Sequence, residues 1–221
     1  MAGINPDPLG ILGGTFDPVH NAHLALAQAA LDRLGIARVL WIPAGQPPHR
    51  AAPRVAPADR LAMVQAAIAA EPRFLLDASE VASQAPSFTV HTLQRLRRQY
   101  GPTRPLVLLM GADAFLGLTG WHRWQELFGL AHLAVATRPG FPLDKLTPPL
   151  AAEMTDRHCL DPAGVAVAPS GRILTFELIA GTVSATEVRG LLAANAPETV
   201  LSTLLPAAVL DYIHQHSLYR H

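Results

Sequence analysis

The sequence predicts an α/β fold built on an open parallel sheet of Rossmann type. Short apolar runs at residues 9–12, 39–43 and 106–111 have the length and composition of buried parallel strands. Between them, as in 24–34 and 57–70, apolar residues recur at helical spacing. Strands that alternate with helices in this way predict a parallel sheet joined by crossover helices.

Composition narrows the class of protein. The chain has 221 residues, of which 50% are hydrophobic and 15% charged, with a formal net charge of zero. It is therefore globular, and it lacks the basic excess that nucleic acid or an anionic membrane requires of a main partner. Cys159 is the only cysteine, so no internal disulfide forms. No apolar run reaches the length of about 18 residues that a membrane span needs, and no signal pattern opens the chain, so we expect a cytoplasmic protein.

The organisation along the chain predicts one domain over residues 1–221. Further strands are expected at 74–77, 132–137 and 173–176. Residues 141–172 have weak periodicity and are interpreted as an elaborated connection with a short helix. C-terminal helices are expected over about 184–216. Arginines 95, 97 and 98 are interpreted as a solvated helix face.

The most informative stretch is residues 13–24, which follow the first predicted strand and open the first helix. Gly13 and Gly14 allow backbone N–H groups to approach a phosphate, and the helix dipole favours an anion there. His20 and His23 are three residues apart, so their rings share one face and can donate hydrogen bonds to phosphoryl oxygens. The alternative is a glycine turn with two surface histidines. A zinc pair is disfavoured, because no third and fourth ligand at suitable spacing accompanies them.

A second helix start carries the same chemistry. Ser184 and Glu187 form a Ser-x-x-Glu capping box, which predicts that a helix begins here. Its free N–H groups, the hydroxyls of Ser184 and Thr186, and Arg189 one turn on make a possible phosphate site. The alternative is a capped helix with a surface arginine.

Other positions have two interpretations from the residues alone. Arg50 is either a fixed cation on a proline-rich loop or a solvated arginine. Thr89, like Ser87, fits a helix cap. Asp113 follows a central strand and could bind ribose hydroxyls or cap the next helix. Trp121, three residues before Trp124, is either core or a stacking platform for an electron-poor ring.

The motif Gly-Gly-Thr-Phe-Asp-Pro-Val-His-x-x-His-Leu at residues 13–24 resembles the signature of nucleotidyltransferases that join a phosphorylated metabolite to the AMP part of ATP. More narrowly, the chain resembles the bacterial nicotinate-nucleotide adenylyltransferases. Residues 183–189 resemble the family motif that holds the ATP phosphates, and 138–140 resemble its Arg-Pro-Gly beside the adenine. Ala22 stands where the family usually has Gly, and His122 where it usually has Tyr.

The resemblance implies a role for each matching residue. Catalytic roles fall to His20, His23 and Arg189. The residues implied in ATP binding are Gly13, Gly14, Thr15, Phe16, His23, Asp113, Arg138, Ser184, Thr186 and Arg189. Those implied in binding the second nucleotide are His49, Arg50, Thr89, Gly111 and Trp121.

The expected reaction is adenylyl transfer from ATP to nicotinate mononucleotide, giving nicotinate adenine dinucleotide and pyrophosphate. Mg²⁺ would arrive with ATP, and no dedicated protein metal site is predicted. One alternative is the same reaction on another phosphate, such as phosphopantetheine or nicotinamide mononucleotide. Another is a non-catalytic nucleotide sensor, which retention of both histidines and Arg189 disfavours. The sequence does not predict the oligomeric state.

Overall fold

The computed structural model describes residues 7–48, 52–137, 143, 145–178 and 183–220. Within these ranges seven strands form one sheet. The strands are β1 (Leu9–Gly14), β2 (Arg38–Pro43), β3 (Phe74–Leu76), β4 (Leu106–Gly111), β5 (His132–Thr137), β6 (His158–Cys159) and β7 (Ile173–Glu177). Their order across the sheet is β3-β2-β1-β4-β5-β7-β6. The predicted open parallel α/β sheet is confirmed.

The register of the sheet is set by long apolar strands. β4 is buried along residues 106–110 and pairs in parallel with β5, with Val107 opposite His132. β1 pairs in parallel with β4 on its other side, with Leu9 opposite Leu106. Strands buried on both faces read as continuous apolar runs, which is why these were visible in the sequence.

The part of the chain that the structure describes contains nine α-helices. They are α1 (Asn21–Arg33), α2 (Pro57–Ile68), α3 (Thr89–Tyr100), α4 (Ala112–Leu116), α5 (Leu127–Leu130), α6 (Pro148–Arg157), α7 (Ala185–Ala193), α8 (Glu198–Leu204) and α9 (Ala207–Gln215). None of these described helices has the length and apolar character to span a membrane. The short helix predicted within 141–172 is α6, and two-residue β6 was not predicted.

The contacts divide the chain into two compact units. The first comprises residues 1–12, 26–40 and 88–179, and the second comprises 13–25, 41–87 and 180–221. In the first unit α3 packs against α5. Arg97 of α3 donates to the carbonyl oxygens of Leu130, the last residue of α5, and of Pro169, so it does not belong to the predicted solvated face.

The second unit joins segments from both ends of the chain. Its α2 packs against α9, and α8 packs against both α7 and α9. The hydroxyl of Tyr212 on α9 donates to Oδ1 of Asp59 on α2 at 3.0 Å. The buried stripe of α9, formed by Val209, Leu210 and Ile213, matches its prediction.

Candidate active site

The glycine turn ends β1 in the second unit. At Gly13 a Cβ atom would have no heavy atom within 4 Å, so an anion can approach the backbone there without obstruction. At Gly14 a Cβ atom would lie 3.0 Å from the ring of Phe16. Gly13 therefore leaves space above the turn, whereas Gly14 makes room for a neighbouring side chain.

Phe16 gives the glycine turn a constrained backbone conformation. Its φ of 51° lies in the left-handed region, which is uncommon for a bulky residue and marks a constrained backbone. The ring is 2% exposed and packs edge-on to His23, with centroids 5.0 Å apart, and against Trp41. Because this side chain lies in the core, the binding role predicted for Phe16 falls to its backbone.

The two histidines lie together at the start of α1. Their rings stack with centroids 3.8 Å apart and planes 25° from parallel. The backbone N–H of His20 donates to Nδ1 of His23 at 3.2 Å. An imidazole nitrogen that accepts a hydrogen bond carries no proton, so His23 has its proton on Nε2. The predicted shared face is observed, and the backbone selects the tautomer of His23.

His20 is buried and neutral. It is 6% exposed, and desolvation by burial lowers its pKa to about 4. Its Nδ1 has no hydrogen-bond partner among the described residues. At neutral pH His20 can therefore offer a hydrogen bond to a phosphoryl oxygen, but it does not bring a positive charge.

The charge comes from the second predicted phosphate site. Ser184 caps α7, its Oγ accepting from the N–H of Glu187 at 3.1 Å, as the capping box predicts. Arg189 donates through Nη2 to Oγ1 of Thr186 at 3.1 Å and through Nη1 to the carbonyl oxygen of Asp17 at 2.7 Å. The second unit thus brings the helix start at residues 184–189 to the histidine turn.

Asp17 links the histidine turn to Arg189 of α7, a role that sequence reasoning did not assign. Its carboxylate is nearly buried, and Oδ1 accepts from the hydroxyl of Tyr219 at 2.7 Å. Oδ2 accepts from the backbone N–H of Arg54 at 2.8 Å. Burial and the neighbouring Asp17 raise the pKa of Tyr219, so the phenol keeps its proton and acts as a donor.

Arg60 of α2 is a second contributor that was not predicted. It is fully buried, and its guanidinium donates to the carbonyl oxygens of Thr15 at 2.7 Å, Ala44 at 2.6 Å and Gly45 at 3.0 Å. Arg60 thereby joins the histidine turn to the loop that follows β2. One signal was present in the sequence: Arg60 precedes Met63 and Val64 at helical spacing, on the apolar face of α2.

The first unit contains other predicted residues. Asp113 is exposed in the first turn of α4, whose N-cap is Gly111, so Asp113 does not cap that helix. At Gly111, as at Gly13, a Cβ atom would have no heavy atom within 4 Å. Trp121 is half-buried, whereas Trp124 is 8% exposed and packs edge-on against Phe128. Trp124 is therefore the core tryptophan.

Thr89 is the first residue of α3, whose N-cap is Phe88 and has no side-chain cap bond. The hydroxyl of Ser87 accepts from the N–H groups of Gly45 and Gln46 in the second unit, so neither hydroxyl residue caps the helix as the simpler interpretation expected. His122, in the position of the family's Tyr, lies 4.4 Å from the ring of Phe88 and 5.7 Å from that of His91, centroid to centroid.

Three predicted site residues, His49, Arg50 and Arg138, lie outside the described residues. The described residues contain no group of three or more His, Cys, Asp or Glu side chains suited to hold a metal ion. Both carboxylate oxygens of the buried Asp17 already accept hydrogen bonds, from Tyr219 and from the backbone N–H of Arg54.

The model of the cytidylyltransferase-like family matches residues 11–191, which include both the histidine turn and the start of α7. The chain belongs to this family. A probable nicotinate-nucleotide adenylyltransferase from Dechloromonas aromatica (strain RCB) is 55% identical over 216 residues, covering 97% of this chain and 98% of the relative. One from Laribacter hongkongensis (strain HLHK9) is 48% identical over 212 residues, covering 96% and 94%.

A solved structure supports the fold of this family member. The chain is similar to Plasmodium falciparum nicotinic acid mononucleotide adenylyltransferase complexed with NaAD, with a TM-score of 0.73 and 14% identity. That match covers 96% of this chain and 97% of the other. Within the cytidylyltransferase-like family, the chain is a nucleotidyltransferase of the nicotinate-nucleotide adenylyltransferase group of NAD biosynthesis.

Proposed function

We propose that this chain transfers the adenylyl group of ATP to the 5′-phosphate of nicotinate mononucleotide, releasing pyrophosphate. The observation that carries the assignment of residues is the bond from Arg189 to the carbonyl oxygen of Asp17, 172 residues away along the chain. It joins a cation near the capped start of α7 to Asp17, three residues before His20, which supports a common phosphate site. Family membership supplies the reaction class.

Arg189, Ser184 and Thr186 bind the β- and γ-phosphates of ATP in this proposal. The guanidinium supplies a fixed positive charge, and two of its five N–H groups are used by Thr186 and Asp17. The hydroxyls of Ser184 and Thr186 accept hydrogen bonds and can each still donate one. The N-terminus of α7 adds its dipole.

His20 and His23 donate hydrogen bonds to the phosphoryl oxygens as charge builds up there. The bond to Nδ1 of His23 fixes its proton on Nε2, and burial keeps His20 neutral. Neither acts as a base, because the substrate phosphate is itself the nucleophile. A preorganised pair of neutral donors stabilises the transition state without the desolvation cost of two buried cations.

In this proposal the backbone of the turn at Gly13, Gly14, Thr15 and Phe16 binds the ATP phosphates, and the family resemblance assigns Arg138 to the adenine. In the first unit, Asp113 accepts hydrogen bonds from ribose hydroxyls. The pyridine nucleotide is contacted by Gly111, Thr89 and Trp121, together with His49 and Arg50. Exposure of Asp113 and the open space at Gly111 support these roles.

The reaction needs no covalent enzyme intermediate. An oxygen of the 5′-phosphate of nicotinate mononucleotide attacks the α-phosphorus of ATP. The bond from that phosphorus to the bridging oxygen breaks, and pyrophosphate leaves with the electron pair. The protein's contribution is to align two anions and offset the transition-state charge. Mg²⁺ enters bound to ATP, which suits an ion that keeps water and phosphate ligands.

We propose the cytoplasm as the location of the protein, because ATP is available there and a single cysteine suits a reducing compartment.

Pyrophosphate release from Mg²⁺–ATP tests the proposal, with nicotinate mononucleotide and nicotinamide mononucleotide compared at equal concentration. We expect strong release with the acid and little with the amide. Equal release would keep the chemistry and remove the acid preference. No release with either, despite ATP binding, would favour another phosphate acceptor or a nucleotide sensor.

A matched pair of variants tests the residue roles. His23→Ala should lower kcat by about 10²–10³-fold, the effect of removing one preorganised donor. His216→Ala is the control, because His216 also stacks on a neighbouring ring, that of Tyr212, in the same unit. Wild-type turnover in His23→Ala would refute the histidine assignment.

A further inference from the structure

The carboxylate of Asp17 is an anion placed beside the guanidinium that we assign to ATP. Asp17 Oδ2 and Arg189 Nη1 are 3.9 Å apart, too far for a hydrogen bond. Arg189 Nη1 instead bonds to the backbone carbonyl oxygen of the same residue at 2.7 Å. The guanidinium therefore has neutral oxygens as its hydrogen-bond partners, while the carboxylate stands at ion-pair distance, short of a hydrogen bond.

Two donors satisfy that carboxylate. The Tyr219 hydroxyl binds Oδ1 at 2.7 Å, and the backbone N–H of Arg54 binds Oδ2 at 2.8 Å. Arg60, the other cation whose charge acts on Asp17, has its guanidinium bonded to three carbonyl oxygens. If the phenol were lost, Arg189, whose Nη1 lies 3.9 Å from Oδ2, could turn toward the carboxylate.

The backbone around Tyr219 is shaped for this contact. Ser217 has a φ of 51° and Tyr219 a φ of 63°, both in the left-handed region. Such residues carry strain, and they persist only where surrounding contacts hold them. Here the N–H groups of Ser217 and Leu218 bond back to the carbonyls of His214 and Ile213 at the end of α9. Tyr219 is 9% exposed in this conformation.

We propose that Tyr219 is a positioning residue for Arg189, holding the carboxylate of Asp17 so that the guanidinium stays available to the phosphates of ATP. This inference rests on the proposed role of Arg189. Without the phenol, the carboxylate of Asp17 and Arg189 close from 3.9 Å to a hydrogen-bonded ion pair, and ATP must compete with Asp17 for the cation. The loss therefore appears in the use of ATP more than in the use of nicotinate mononucleotide.

Steady-state pyrophosphate release tests the proposal in Tyr219→Phe, Arg189→Ala and the double variant. We expect Tyr219→Phe to lower kcat/KM for ATP about tenfold, the effect of one lost hydrogen bond of ordinary strength, with less than a twofold change in KM for nicotinate mononucleotide. In the Arg189→Ala background Tyr219→Phe should have almost no further effect, because its target is gone.

Two further variants separate positioning from folding. Tyr212→Phe removes the other tyrosine–aspartate hydrogen bond of this unit, to Asp59, and should leave kcat/KM for ATP within twofold of wild type. Adding Asp17→Asn to Tyr219→Phe removes the competing charge, so part of the lost kcat/KM should return. If Tyr219→Phe acted only by damaging the fold, adding Asp17→Asn would lower kcat/KM for ATP further.

The outcomes discriminate between the two proposals. Arg189→Ala with wild-type kinetics would refute the phosphate role of Arg189 and this inference with it. Suppose instead that Arg189→Ala lowers kcat/KM for ATP and that the double variant loses the product of the two single-variant factors. That result would refute only the positioning of Arg189 by Tyr219. The positioning role would also be refuted by wild-type kcat/KM for ATP in Tyr219→Phe, or by no recovery of kcat/KM when Asp17→Asn is added to it.

Discussion

The ring of His20 lies on the ring of His23 at 3.8 Å, while the backbone N–H of His20 donates to Nδ1 of His23. One residue therefore sets both the orientation and the tautomer of the other. Because a protonated Nδ1 could not accept that bond, the contact requires the tautomer of His23 with its proton on Nε2. The arrangement favours hydrogen-bond donation over proton transfer.

Burial of His20 predicts a dependence of stability on pH. Its pKa is lowered from 6.5 to about 4, so between these pH values the unfolded chain binds more protons than the folded chain. The free energy of unfolding should therefore fall as pH falls through this window, by up to about 3 kcal/mol from this group. The stability is fully present above pH 6.5.

Urea unfolding at pH 7.5, 5.5 and 4.5 of wild type and His20→Asn measures this contribution, since asparagine takes up no proton there. The advantage of wild type over the variant should shrink as pH falls. Other buried histidines, such as His132, titrate in both proteins and cancel in the difference. A difference independent of pH would show that His20 is not held neutral.

Arg60→Met should destabilise the fold. It leaves the carbonyl oxygens of Thr15, Ala44 and Gly45 without this donor, at a cost of about 1–3 kcal/mol for each buried group that finds no substitute. We expect a loss of about 3 kcal/mol or more in urea unfolding. Arg98→Met, at an exposed position on α3, is the control and should stay within about 0.5 kcal/mol. Equal stability of the two variants would contradict this account.

Gly13→Ala should affect ATP binding, whereas Gly45→Ala should affect the stability of the fold. A methyl at Gly13 enters open space, so stability should change by less than about 1 kcal/mol while KM for ATP rises. A methyl at Gly45 would overlap the carbonyl oxygen of Glu80, so that variant should lose several kcal/mol of stability, on the order of a severe core substitution. Thermal unfolding and ATP titration distinguish the two. Unchanged ATP kinetics in Gly13→Ala would remove the turn from the nucleotide site.

Substitution of the two neighbouring tryptophans, Trp121 and Trp124, should likewise affect different properties, one substrate binding and the other stability. Trp124→Ala removes a buried ring that packs against Phe128 and should cost about 3–5 kcal/mol of stability. Trp121→Ala removes a half-buried ring and should mainly raise KM for nicotinate mononucleotide, about tenfold for a lost stacking contact of ordinary size. A large loss of stability in Trp121→Ala, with KM unchanged, would place Trp121 in the core as well.

Local patterns predicted the strands and the helix starts well. The apolar run of β4 and the capping box at Ser184 each carry their signal within a few residues. Helix α8 was not predicted separately, because its seven residues are mostly exposed and Leu201 is the only fully buried one. Short polar helices lack the periodicity on which such predictions depend.

The parts of the site that were missed depend on long-range contacts. Arg60 reaches Thr15 across 45 positions, and Tyr219 reaches Asp17 across 202. No window along the sequence contains both partners. The resemblance predicted that Arg189 and the histidines bind phosphate, which stays a prediction, but the residues that hold them became visible only in the folded chain.

The bond between Asp17 and Tyr219 also bears on the order in which the protein is made. A chain synthesised from its N-terminus exposes the histidine turn to the cell 202 residues before the phenol that satisfies Asp17. Closing a loop of that length costs more chain entropy than closing the 45-position loop from Thr15 to Arg60. During synthesis the turn can therefore be held first by Arg60 and the backbone of Arg54, whereas the bonds from Arg189 and Tyr219 form only after a much longer stretch of chain has been made.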